Sequence, residues 1–201
     1  MKTRSVLAAV ALAAASGAAL AHPGHESASF FTGFTHPLGG LDHLLAMLAV
    51  GLYTARQPGA TRWMLPVGFV LAMLAGAGLG ALGVALPVVE AGIAASVLVF
   101  GLLTALAASL PLTVSLPLIV AFALFHGHAH HAEMGGASLV TYAAGFALAT
   151  GLLHGAGYVI ARWIPQTRAG NVIKRVAGLM VGGVGSAVAL RVKRWTQLKL
   201  E

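Results

Sequence analysis

Cysteine is missing from all 201 residues of this chain. Its absence excludes disulfides, thiolate metal centres and iron–sulfur clusters, and leaves His, Asp, Glu and Met as metal ligands. Charge is scarce too: 8% of residues are charged, against roughly a quarter in soluble domains. Twelve Lys and Arg outnumber five Asp and Glu, for a formal charge of +7. That excess does not describe a nucleic-acid binder, because the cations sit at the ends of apolar segments, form no basic stripe and are accompanied by only 7% aromatics. No Walker-type sequence points to ATP hydrolysis. No stretch is long and polar enough for a soluble domain, and no tandem repeat or low-complexity tract stands out.

What the chain does have is apolar length. Hydrophobic residues make up 58% of it, and mean hydropathy is +0.88. Lys2 and Arg4, the apolar run Val6 to Leu20 and the small residues Ala19-Leu20-Ala21 read as a signal peptide over 1–21. His22 then opens a mature chain, 22–201, forming one membrane domain. Apolar segments at about Leu38 to Ala55, Trp63 to Leu82, Val88 to Ala108, Leu112 to Phe125, Leu139 to Ile160 and Val172 to Leu190 predict an all-α polytopic protein of about six transmembrane helices. Pro87, Pro111 and Pro117 make the stretch from Gly83 to Phe125 the hardest to divide.

An external His22 places Arg56 and Arg62 in the first cytoplasmic loop. Arg162, Arg168, Lys174 and Arg175 fall in the last, as the positive-inside rule requires. The tail cations Arg191, Lys193, Arg194 and Lys199 break the pattern if the last segment crosses. His22, His25, His36, Asp42, His43, Glu90 and the cluster His126 to Glu133 all fall toward the external side. Ionisable groups at membrane depth are expensive without partners, so this convergence marks a path for an ion.

His36 and His43 are seven apart, about 10 Å along a regular helix, which is too far for one cation. Pro37, Gly39 and Gly40 make a regular helix doubtful and allow an irregular entry that folds His36 back toward Asp42 and His43. Met47 adds a thioether one turn after His43, as a soft ligand or as core. In Phe125-His126-Gly127-His128-Ala129-His130-His131-Ala132-Glu133, the spacings His126/His130 and His130/Glu133 let side chains share a cation. His128 and His131 point elsewhere on a helix. Such imidazole and carboxylate donors suit nickel, cobalt and zinc. Glu90 completes the ligand set, neutralises passing charge, or sits at headgroup level. His154 is either a relay ligand or a hydrogen-bonding group between helices, because Gly151 and Gly155 flank it with a small-residue packing face; Gly76/Gly80 and Gly178/Gly182 read the same way.

The pattern His36-Pro37-x-x-Gly40-x-Asp42-His43-x-x-x-Met47, followed by the Phe-His-Gly-His-Ala-His cluster and a downstream Glu, resembles the HupE/UreJ family of nickel/cobalt permeases. So do His22-Pro23-Gly24-His25, Pro66-x-x-Phe69-x-x-x-Met73-x-x-Gly76, Leu86-Pro87-x-x-Glu90 and Leu153-His154-Gly155-Ala156-Gly157. The resemblance implies uptake of Ni2+, or Co2+, as a substrate across the bacterial inner membrane, feeding hydrogenase or urease maturation. It implies functional roles for His36, Asp42, His43, Glu90, His130 and Glu133, and makes Phe69 a pore-lining candidate. His131 departs from the family, which more often has Gly there. No catalytic cofactor and no nucleic acid is expected; the partners are a divalent metal ion and the lipid bilayer, and the glycine faces permit homo-oligomers. Two other classes compete: an intramembrane zinc hydrolase with Asp42 or Glu133 as general base, disfavoured by the lack of HExxH or Gly-x-Ser-x-Gly, and a membrane metal sensor.

Overall fold

A computed structural model describes residues 27–198. The expected signal peptide and the candidates His22 and His25 lie outside the described residues. Seven α-helices make up the described chain, with no strand: α1 Ser27–Gly39, α2 Leu41–Thr54, α3 Thr61–Ala81, α4 Val89–Ala105, α5 Leu112–Glu133, α6 Leu139–Trp163 and α7 Arg168–Leu198.

Four of them, α3, α5, α6 and α7, are long and apolar enough to cross a membrane. α2 and α4 are apolar but have only 14 and 17 residues, fewer than the ~20 that a full crossing needs. The six expected segments each find a helix, yet two of these are short. α1 is an addition, since no apolar segment was expected between the signal peptide and Leu38. α5 also extends past Phe125 to Glu133, so the histidine cluster is helical. Pro117 does not divide it: as the sixth residue it falls near the N-terminus, where few backbone bonds are lost. Pro66 occupies the same place in α3.

Glycine sets the helix spacing. Gly51 of α2 lies against His154 and Gly157 of α6, with no room for a side chain between them, and Gly101 of α4 lies likewise against Gly178 and Gly182 of α7. In an apolar solvent such close backbone approach is the main source of helix association. Gly178 meets α4 near Ala105 and Gly185 meets it near Leu98, so α7 runs antiparallel to α4 and carries its C-terminal cations toward the end that bears Glu90.

These contacts expose a repeat missed in the sequence. Gly51-Leu52-Tyr53-Thr54-Ala55 closes α2 and Gly101-Leu102-Leu103-Thr104-Ala105 closes α4. In the helices that follow, Pro66 and Gly76 of α3 correspond to Pro117 and Gly127 of α5. The pairing is reciprocal, Gly76 against Leu124 and Gly127 against Met73. The two helix pairs run in the same sense, and their identities are too few to stand out against a chain rich in Gly, Ala and Leu.

Large apolar side chains on the outer surface, among them Leu71, Trp163 and Met180, are more than half exposed, as lipid-facing positions require. The inner core joins Val50, Tyr53, Leu65, Phe69, Met73, Phe100 and Phe146.

Candidate functional site

The polar interior lies at one end of the bundle, where α1, α2, α5 and α6 meet. The chain breaks at Gly40 between α1 and α2, its backbone extended there. This break folds His36 back until its ring centre is 5.9 Å from that of His43. His130 of α5 stands 5.0 Å from both His36 and His43, and His126 stands 4.9 Å from His43. Two imidazoles on one metal, each nitrogen about 2 Å from it, place their ring centres roughly 5–6 Å apart. The rings are therefore spaced pairwise for handing a cation along, although no three His, Asp or Glu among the described residues already converge on one point.

Carboxylates orient two of the rings. His36 Nε2 pairs with Glu133 at 2.6 Å, and His43 Nδ1 faces Asp42 at 3.2 Å. Asp42 also accepts the His43 backbone N–H at 2.9 Å. Holding one ring nitrogen fixes the tautomer and frees the other as ligand, and His43 Nε2 is indeed buried with no hydrogen-bond partner.

His126 is fixed differently. Ser96 of α4 donates its hydroxyl to the Ile93 carbonyl at 2.7 Å and stands 2.9 Å from His126 Nε2. With its proton committed, Ser96 accepts from Nε2–H, which leaves the lone pair on Nδ1, an atom also buried without a partner. Both nitrogens of His130 share that condition, its ring stacked on Phe146 at 4.5 Å. Each unpaired buried polar group costs about 1–3 kcal/mol. Several in one cluster fit a site whose partner is a cation.

Below the cluster Phe69 is fully buried, its ring 5.6 Å from His126 and 5.0 Å from His154. It stands between the outer histidines and the deeper one. Both nitrogens of His154 are buried and unpartnered, so it bonds no neighbouring helix. Gly151 and Gly155, read as a packing face, meet nothing within 4 Å of an added Cβ; they line an open groove instead, because the packing contact of this stretch falls on Gly157.

Other candidates sit apart. Met47 is in the core, its sulfur accepting from Thr150 at 3.1 Å. Glu90 is exposed on the first turn of α4, at the same end as Asp42 and Glu133, without an ion pair to the cluster. His128 reaches the Val84 carbonyl at 3.0 Å, and His131 packs against Gly80. Sequence reasoning missed Ser96 and Phe146, though a serine in the middle of the apolar α4 was a signal for the first.

Fold and site together define an all-α protein with membrane-crossing helices and a buried histidine cluster braced by carboxylates. The chain belongs to the HupE/UreJ family: the sequence model for HupE / UreJ protein matches residues 10–188. Protein HupE of Rhizobium leguminosarum bv. viciae is 40% identical over 189 residues, which cover 94% of this chain and 98% of that protein. No solved structure matches.

Proposed function

We propose that this protein is a secondary permease for Ni2+, or Co2+, carrying the cation inward across the bacterial inner membrane toward hydrogenase or urease maturation. The observation that carries the reading is the cluster of His36, His43, His126 and His130, with unpartnered nitrogens in an apolar bundle. The family's association with nickel and cobalt transport supports the choice of metal. On this reading the mature N-terminus is periplasmic, α3, α5, α6 and α7 span, and the shorter α2 and α4 complete six crossings together with the loop residues that flank them. His22 and His25 collect the ion and Glu90 draws it in. It passes from His36 and Glu133 through His130 and His43 to His126, then past Phe69 to His154.

Pairwise exchange between imidazoles keeps binding strong enough to select and weak enough to release. An inward-negative potential contributes about 2.3 kcal/mol per charge per 100 mV, and roughly twice that for a divalent ion. This suffices to drive entry without ATP. The protein has no catalytic role on this reading, and its metal is cargo.

The test is uptake of nickel into sealed proteoliposomes under an imposed potential, with cobalt and zinc as competitors. Saturable entry that His43→Ala abolishes is the expected result. No entry, with tightly held zinc and turnover of a lipid or peptide, would replace the permease with a hydrolase.

A further inference from the structure

The opposite end of the bundle carries a feature that ion passage does not use. Arg56, Arg62, Arg162 and Lys174 line one cavity of about 460 Å3, joined by the amides of Gln57, Gln166 and Asn171. No carboxylate answers them, since Asp42, Glu90 and Glu133, the described acidic residues, belong to the histidine end. Four cations held together without an anion repel one another.

The cavity does not stand alone. Arg62 also lines a second, open groove of about 660 Å3 between α3 and α6, whose walls include Trp63, Val67, Leu71, Leu148, Leu152 and Val159. Val67, Leu71, Leu148 and Leu152 are all half exposed or nearly so. From Arg62 to Leu71 the groove follows α3 for about 13 Å at 1.5 Å per residue. Where the two cavities join, Trp63 and Tyr158 stand with ring centres 5.2 Å apart, and Trp163 lies at the same end, 81% exposed. Amphipathic rings at that level mark the headgroup region of a bilayer.

We infer that these two cavities form one binding site for an anionic phospholipid, its phosphate among Arg56, Arg162 and Lys174 and an acyl chain in the groove. Charge complementarity selects the headgroup, because a basic pocket between spanning helices answers an anionic lipid. The continuity at Arg62 ties headgroup to chain. Gly151 and Gly155 form part of the groove floor, which explains why they lack side chains while touching no helix. Because His154 also lines the groove, the acyl chain would seal this histidine from the lipid side. The site requires membrane residence and is independent of which metal, if any, the protein carries.

The test is native mass spectrometry of the full-length protein in detergent with dioleoylphosphatidylglycerol, and dioleoylphosphatidylcholine as neutral control. The expected result is at least fivefold greater retention of the anionic lipid. The triple variant Arg56→Gln/Arg162→Gln/Lys174→Gln should lose that preference, whereas Arg168→Gln/Arg191→Gln, outside the cavity, should keep it. Gly151→Leu puts a side chain into the groove from a position where an added Cβ meets nothing within 4 Å, and should reduce retention several-fold. Equal retention of both lipids by the native protein would overturn the site. Displacement by glycerol-1-phosphate at equal concentration would also overturn it, by reducing it to a free-anion pocket. Should the triple variant fail to fold, Gly151→Leu decides alone: unchanged retention refutes the proposal.

Discussion

Replacing Ser96 by Ala removes one oxygen from α4 and tests the logic of the histidine cluster directly. The Ser96 hydroxyl is the only polar partner of His126 in hydrogen-bond range among the described residues, 2.9 Å from Nε2, and His126 has no exposed surface. Without it, the Nε2–H is buried with no acceptor, a loss of about 1–3 kcal/mol. In a chain of this size that corresponds to a melting point lower by roughly 2–12 °C, at about 2–4 °C per kcal/mol. The second consequence is chemical. His126 is then free to take either tautomer, so its Nδ1 lone pair is no longer guaranteed, and losing such an orienting partner lowers metal affinity roughly 10–100-fold. The assays are thermal unfolding in detergent and the concentration dependence of nickel uptake. Ser115→Ala is the control, because Ser115 is equally buried but bonds the Pro111 carbonyl at 3.2 Å and the Tyr53 hydroxyl, at the end of α5 away from the histidines. Reduced stability with unchanged uptake would show that Ser96 braces the bundle without setting His126. Unchanged values in both assays would refute the tautomer argument altogether.

Gly101→Ala places a methyl 2.7 Å from the Gly182 Cα and 2.8 Å from the Gly178 carbonyl oxygen, so α4 and α7 must separate. The expected loss is about 1–3 kcal/mol in detergent unfolding. On the same helix α7, Gly183→Ala meets nothing within 4 Å and should stabilise by roughly 0.5–1 kcal/mol through helix propensity. Ala107, which follows α4, holds φ 57, the left-handed region that disfavours a side chain by about 1–2 kcal/mol. Ala107→Gly should therefore raise the melting point, and a fall would refute the strain. Nickel at a hundred times its dissociation constant should stabilise the native protein by about 2.7 kcal/mol. Thermal shift in His43→Ala and His130→Ala should lose that gain, and its persistence in both would move the binding site elsewhere.

Composition, the six apolar segments and the two histidine motifs were legible without coordinates. They depend on solvent preference and on short spacing along one helix, both local properties. The segment ends were less so: α2 and α4 are shorter than a bilayer crossing, and α5 continues through its histidines. Helix length reflects where the neighbouring backbone turns as well as where hydropathy falls. The same limit explains Gly151 and Gly155. Their spacing matches a packing face, yet helix rotation turns them to a groove and gives the contact to Gly157.

The sequence by itself determined an apolar, cysteine-free helical chain, the polarity of its two ends, and the residue types able to bind a cation. Only the tertiary structure decided which of them meet. His36 and His43 approach through the break at Gly40, while His126 and His130 arrive on α5, more than eighty residues later in the chain. Ser96 fixes His126 from a fourth helix, α4, and Phe69 divides the cluster from His154 from a fifth, α3. Spacing along one helix determines which side chains share a face. Which faces then turn toward each other depends on glycine contacts between distant segments, where backbone meets backbone.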